Sequence, residues 1–369
     1  MNIHKISIVT RVIFPAVSPR ANRSTYLATE LARQGYDVTI FCLLGDYDYH
    51  QYCNQHKLKI KSLGKSYLGN GNSDTGKQSS GFLFKACKRL FGSILMFPEL
   101  ELCYLIFKKR KQILEADSII SIAHPFAIHF GIGLIKNKFS GNWVSDCGDP
   151  FTKNPFTRYP AYFKKIEEWW AKNTTYITVP FDKAKFAYPD EAQDKIYVIP
   201  QGFPIIEDLD KNYIPNKVTT FAFSGNVYKQ LRDPTELLEF LVGVEEDFKF
   251  IVFAKTFDLF LPFQKLLGDK IEFRNYIPRD SLLVELSKVD FLININNESE
   301  MQLPSKIIDY AMSKRPIINV SSKLTSEQTA MLKNCFVGQY PTVSIDIEQY
   351  DIKNVAQNFI KLLGSEING

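Results

Sequence analysis

Two successive rounds of strand–helix alternation constrain this chain more than any other feature of it. In the first round Lys5–Thr10, Asp37–Leu43, Ser118–Ile122, Trp143–Ser145, Tyr176–Val179 and Ile196–Ile199 are short apolar runs of strand character. Between them, Ser24–Gln34 reads as a helix, with Leu27, Ala28 and Leu31 on one face and Gly35 as its stop. His129–Asn137 and Ala161–Asn173 read as helices too, and Phe82 to Leu114 as a helical stretch broken near Pro98. Residues 203–216 are polar and proline-containing, a linker, and the alternation then restarts. Thr219–Phe223, Phe248–Phe253, Ile271–Phe273, Phe291–Ile295 and Pro316–Val320 read as strands; Pro234–Val242, Leu259–Leu267 and a closing segment near Val355–Leu363 read as helices. Strands spaced by helices build a parallel, doubly wound α/β sheet. Right-handed crossovers then line the loops that follow the strands along one sheet edge. A chain of 369 residues is too long for one ordinary core. The expectation is two Rossmann-like domains whose carboxyl edges face a cleft.

Composition narrows the setting. At 45% hydrophobic and 23% charged residues, this is the balance of a globular protein. The opening residues read as a strand, with only Lys5 charged before Arg11, and not as a cleavable signal sequence. The longest apolar candidate for a membrane span, Phe91 to Phe107, is interrupted by Pro98, Glu99 and Glu101. Cys42, Cys53, Cys87, Cys103, Cys147 and Cys335 are scattered without a Cys-x-x-Cys, the usage of buried thiols in a reducing compartment. A cytoplasmic location is expected.

The net charge of +5 conceals an asymmetry: residues 1–200 hold 27 Lys and Arg against 17 Asp and Glu, and the remainder 18 against 23. Residues 51–111 alone carry 12 basic and 3 acidic side chains. Within them, residues 81–111 join Phe82, Leu83, Phe84, Leu90, Phe91, Ile94 and Leu95 to Lys85, Lys88, Arg89 and the run Lys108-Lys109-Arg110-Lys111. Apolar and basic faces on one helix suit an anionic membrane surface. They also suit a core-facing helix with a solvated basic side. Nucleic acid is not expected, because aromatic-basic interleaving at a known module spacing is missing.

Chemistry concentrates at the loops that follow strands. Pro304 to Ile318 follows an apolar strand and a polar loop, Asn296 to Leu303. Ser305 is a good helix start, and Ile307, Ile308, Ala311 and Met312 give that helix an apolar face. A helix start at the carboxyl edge of a parallel sheet presents free N–H groups to a phosphate. Lys306 would face phosphates there, and Asp309, one turn in, could accept hydrogen bonds from a ribose. Ser224-Gly225-Asn226 follows the first strand of the second round, with Lys229 and Arg232 just beyond and Lys255 after the next strand. A glycine turn lets backbone approach a ligand, and two cations could clamp a diphosphate. In the first round, His124 follows a strand and can donate to a sugar hydroxyl or phosphate. Asp146 and Asp149 follow the next one; two acids there could be an acid/base pair, though one fits a cap or turn role. Asp46-Tyr47-Asp48 has the form of a metal-holding Asp-x-Asp, but two carboxylates leave a hard-cation site incomplete, so no metal is expected.

The 304–318 stretch resembles the nucleotide-sugar site of GT-B glycosyltransferases, particularly retaining family 4. Those enzymes carry two glutamates separated by seven residues, the second followed by a small-residue helix and Gly-x-Pro. Asp309 falls at the second glutamate, seven positions before Pro316. Two departures stand: the acid is Asp, and Met301 occupies the place of the first, with Glu298 and Glu300 close by. The Pro-Ser-Lys reading is similar to a branch that makes bacterial surface polysaccharides, such as O-antigen or capsule. The resemblance implies a GT-B fold: residues 1–202 an acceptor-binding domain, 203–350 a nucleotide-sugar domain, and 351–369 a terminal helix packing back on the first. It implies transfer of a sugar from a nucleotide-diphosphate sugar to a hydroxyl of a glycan or lipid-linked acceptor, with retention and without cofactor or metal. By the same resemblance, Gly225, Lys229 or Arg232, Lys255, Ser305 and Lys306 would bind the diphosphate and Asp309 the ribose. Glu298, Glu300, Met301, Gln302 and Leu303 would grip the donor sugar, His124 would orient it, and Asp149 would face the acceptor. The enzyme would work at the inner face of the cytoplasmic membrane. Two alternatives are a GT-B nucleotide-sugar epimerase, which needs an acid/base set in the cleft, and a two-domain sugar-binding protein of periplasmic type, which needs an export signal.

Overall fold

The computed structural model describes residues 3–16, 18–67, 92, 94–154, 159–206, 209, 211, 213–229, 232–296, 305–340 and 345–364. The chain divides into two compact units: residues 1–204 with 348–369, and residues 205–347. The expected readings at 81–91 and 297–304 lie outside the described residues.

The first unit is a seven-stranded sheet, all of whose strand pairs are parallel. Its strands are β1 (Lys5–Val9), β2 (Asp37–Cys42), β3 (Lys59–Ser62), β4 (Ser118–Ala123), β5 (Asn142–Cys147), β6 (Tyr176–Val179) and β7 (Ile196–Val198). Their order is β3-β2-β1-β4-β5-β6-β7, so the winding reverses between β1 and β4. Helices are numbered here in chain order among the described residues. On one face lie α1 (Pro19–Arg33) and α11 (Ile352–Leu363), which share a core with Ile6, Ile8, Val38 and Ile40. On the other lie α3 (Glu101–Ile113), α4 (Ala127–Ile135) and α5 (Tyr162–Asn173), packed around Trp143, Phe151 and Trp170.

Local chemistry accounts for the element ends. Helix α1 begins at Pro19 rather than at Ser24: Ser18 is extended and its side chain accepts from Ala21 N, with Pro19 preset for the first turn. Helix α11 is capped by Asp351, whose side chain accepts from Lys353 N, and stops at Gly364 with φ +68°. Its apolar residues Ile352, Val355, Ala356, Phe359, Ile360 and Leu363 fall at helical spacing and are all buried. Among the strands and α-helices of the first unit, β3 and α2 (His50–His56) were not read from the sequence. Strand β3 pairs only with β2, so its Lys-Ile-Lys-Ser lacks the apolar signal of a central strand.

The second unit is a five-stranded parallel sheet of order β10-β9-β8-β11-β12. Its strands are β8 (Thr219–Ser224), β9 (Phe248–Ala254), β10 (Ile271–Asn275), β11 (Phe291–Ile295) and β12 (Ile317–Val320). Helices α6 (Thr235–Val242), α7 (Leu261–Leu267) and α10 (Ser326–Cys335) cover one face; α8 (Arg279–Leu286) and α9 (Ser305–Met312) cover the other. Here the winding reverses between β8 and β11, and ligands bind doubly wound sheets outside the carboxyl ends at such a reversal.

Candidate functional site

The reversal in the second unit gathers the strongest cluster. Strand β8 ends in Ser224, and Gly225 turns the chain with φ +137°, a conformation side chains disfavour. Lys306, in the first turn of α9, reaches back across the reversal and donates from Nζ to Ser224 O at 3.0 Å. Its amine fills the space above Gly225, so that a Cβ there would overlap Nζ. Tyr310, one turn further, is buried; its hydroxyl accepts from Ser224 N at 2.7 Å and locks the turn to α9.

Arg232 completes the cluster. Backbone bonds between Tyr228 and Arg232, at 3.1 and 2.8 Å, pair these two residues as an antiparallel bridge just beyond β8. The residue is 9% exposed, and among the described residues its Nε has no hydrogen-bond partner. A buried donor without an acceptor is costly unless something else supplies one. Burial lowers the pKa of Lys306 to about 8, with Arg232 adding to the shift and Asp309 opposing it. Two cations are thus desolvated near each other beside a glycine turn, an arrangement that favours a bound anion.

Asp309 lies on α9 near Lys306. Arg279, the first residue of α8, donates from Nε to its Oδ1 at 2.7 Å; the side chains are 14% and 18% exposed. Burial raises the pKa of Asp309 above its ordinary value, and Arg279 opposes that rise. Ser305 begins α9. The remaining predicted members are placed differently. Lys229 is exposed, and Lys255 is exposed with its amine 5.1 Å from the Tyr276 ring centre. Glu298, Glu300, Met301, Gln302 and Leu303 lie outside the described residues.

In the first unit, His124 stands at the end of β4 and Asp149 just beyond β5. Arg20, in the first turn of α1, forms an ion pair with Asp149 and passes so close to Gly148 that a Cβ there would overlap its guanidinium. Although His124 reaches solvent, the protein crowded around it lowers its pKa by desolvation; Arg20 adds to this and Asp149 opposes it. The second acid, Asp146, is fully buried: Arg23 holds it with a two-pronged ion pair and Thr178 donates to it at 2.7 Å. Arg23 also donates to Pro200 O and Ile199 O, so this pair ties β5 to α1 and to the end of β7. His129 is a core residue. Trp143 Nε1 donates to Ser121 Oγ, which lies 2.7 Å from His129 Nδ1, and burial holds the ring's pKa down near 3.

Asp46 and Asp48 are exposed, and Asp48 accepts from His50 N at 2.9 Å at the start of α2. Among the described residues no group of three or more His, Cys, Asp and Glu is placed to hold a metal ion. Arg279, Tyr310 and Arg20 were missed by sequence reasoning. The only local sign of the two arginines was a Pro-Arg pair at a helix start, Pro278-Arg279 and Pro19-Arg20.

Two parallel doubly wound units, of seven and five strands, give this chain the fold of GT-B glycosyltransferases. A glycosyltransferase from Rickettsia africae is similar over 98% of this chain and 95% of its own, with TM-score 0.61 and 14% identity. The Anabaena protein Alr3699/HepE, solved in complex with UDP and glucose, matches 98% of this chain and 99% of its own, with TM-score 0.62 and 11% identity. The lipopolysaccharide outer core galactosyltransferase WaaB matches 98% of this chain and all of its own, with TM-score 0.57 and 12% identity. No protein-family model and no curated protein matches the chain.

Proposed function

We propose that this protein is a glycosyltransferase that moves a sugar from a nucleotide-diphosphate sugar to a hydroxyl of a glycan or lipid-linked acceptor. One observation carries the reading: the buried Nε of Arg232, without a partner among the described residues, near the Lys306 amine over Gly225. Departure of a nucleoside diphosphate develops negative charge on phosphate oxygens, and pre-oriented cations in a dry site stabilise it. Arg232 and Lys306 supply that charge without a metal, so the reaction is metal-independent. Asp309 takes ribose hydroxyls. His124 orients the donor sugar and donates to it as a neutral imidazole. Asp149, oriented by its ion pair with Arg20, serves the acceptor as a hydrogen-bond acceptor. The UDP and UDP-glucose complexes of the Anabaena protein favour a UDP-sugar donor here.

Retention and a place in surface-polysaccharide synthesis rest on the Pro-Ser-Lys and Asp309–Pro316 resemblance. Peripheral attachment to the inner face of the cytoplasmic membrane is supported by α3. There Tyr104 and Phe107 are 60% and 46% exposed and share an outer face with the exposed Lys108 and Lys111, while Leu102, Leu105 and Ile106 face the core. Among the described residues, no helix is long and apolar enough to cross a membrane. The epimerase and sugar-binding alternatives gain nothing from these arrangements. Calorimetry tests the central reading: Arg232→Ala should weaken UDP binding far more than uridine binding. Equal losses would remove the diphosphate role.

A further inference from the structure

Arg279 performs no step in the function proposed above, yet it sits at its centre. It begins α8 directly after Pro278 and crosses to α9, where Nε donates to Asp309 Oδ1 and Nη2 lies 2.9 Å from Met312 Sδ. The guanidinium is therefore fixed at two points by one helix while its own chain is fixed by another. No other hydrogen bond between described residues reaches the Asp309 carboxylate. One oxygen is held and the second is left to a ligand.

We propose that Arg279 is a positioning residue of the nucleotide site, which clamps Asp309 Oδ1 so that Oδ2 is pre-aimed at the ribose hydroxyls. The proposal rests on the reading that Asp309 binds ribose. A carboxylate on a helix has rotamer freedom that a ligand must otherwise freeze out, and a rigid partner removes that cost before binding. The planar fork suits the role better than an ammonium, because Nε and Nη2 engage two fixed points at once. Arg279 also counters the burial that favours the neutral carboxyl, as does Lys306 from α9, whereas Asp280 on α8 pushes the other way.

The test compares UDP with its 2′-deoxy and 3′-deoxy forms, by calorimetry on the full chain. Wild-type protein should prefer the ribonucleotide by roughly 10- to 100-fold, the span of a hydrogen bond to a charged group. Arg279→Gln should erase most of that preference while leaving 2′,3′-dideoxy UDP bound as in wild type. A generally disturbed fold would weaken all of these ligands alike. Removing Arg279 should also make the residual preference fade as pH falls, at a higher pH than in wild type, because the unclamped carboxyl protonates more readily. Arg279→Lys should recover part of the preference, and it serves as the second variant if the glutamine form is unstable. If Asp309→Asn abolishes the preference and Arg279→Gln keeps it, the positioning role is wrong. If Asp309→Asn keeps it, the ribose reading itself fails, and this inference with it.

Discussion

Raising the pH from about 7 to about 9 should weaken nucleoside diphosphate binding about tenfold, roughly 1.4 kcal/mol, through the proton on Lys306. In the unliganded protein, burial and the neighbouring Arg232 bring this lysine to about 8 from its ordinary 10.5. A bound diphosphate places anionic oxygens beside the amine and returns its pKa upward, so binding is coupled to proton uptake. With a bound value near the ordinary one, the affinity is nearly flat below about pH 7, bends near about 8, and approaches a limiting slope of about tenfold per unit only above that. At about pH 8.5, complex formation should take up about three-quarters of a proton. Calorimetry of UDP binding in buffers of different ionisation enthalpy measures that number directly. Lys306→Arg keeps a charge that does not titrate in this range and should flatten the profile. A wild-type profile without slope or proton uptake, or an arginine variant with the same slope, would refute the reasoning. The same lysine sets a stability trend of opposite use. Its folded pKa is depressed, so between about 8 and 10.5 the unfolded chain binds more protons, and the unliganded protein gains stability as pH rises through that window.

Three further outcomes are expected. Asp146→Asn should cost about 3–5 kcal/mol in chemical denaturation, since it strands the buried Arg23; replacing both by apolar residues should recover much of the loss. Transfer activity, assayed with a UDP-sugar in excess chelator, should persist; abolition with rescue by manganese would overturn metal independence. Lys108→Glu with Lys111→Glu should release the protein from anionic vesicles in a sedimentation assay, each lysine near the surface contributing about 1 kcal/mol. Wild-type protein that ignores such vesicles at low salt would make a soluble acceptor the better reading.

Much of this architecture was legible because central parallel strands are apolar on both faces. Runs such as Phe291-Leu292-Ile293-Asn294-Ile295 stand out against any background. Asp309, Lys306 and Gly225 were legible because each sits where a strand ends and a helix begins, the edge at which doubly wound sheets bind ligands. Their partners were not. Lys306 meets Ser224 across 82 positions of sequence, and Arg20 meets Asp149 across 129. No local pattern encodes such pairings. Helix α8 escaped notice for a different reason: Leu282, Leu283 and Val284 are consecutive and ring the helix instead of marking one face. Asp146 and Asp149 were indistinguishable as residues. What separates them is that one points into the sheet's core, where Arg23 neutralises it, and the other to the edge.

The second unit is, topologically, an insertion within the first. The chain leaves at Pro204 and returns at Glu348, and the outgoing and incoming segments lie side by side, Phe203 N donating to Tyr350 O at 2.8 Å and Ile352 N to Phe203 O at 2.9 Å. Helix α11 then supplies Val355, Ala356, Phe359 and Ile360 to the core built on β1 and β2. Synthesis runs in the other order. Residues 205–347 form a contiguous unit that can close its core as soon as they clear the ribosome. The unit made first must wait, with the apolar face beneath α11 uncovered, until α11 itself emerges. Of the two units, the one begun first is therefore the later to complete its core, and any nascent chain arrested short of α11 exposes that face.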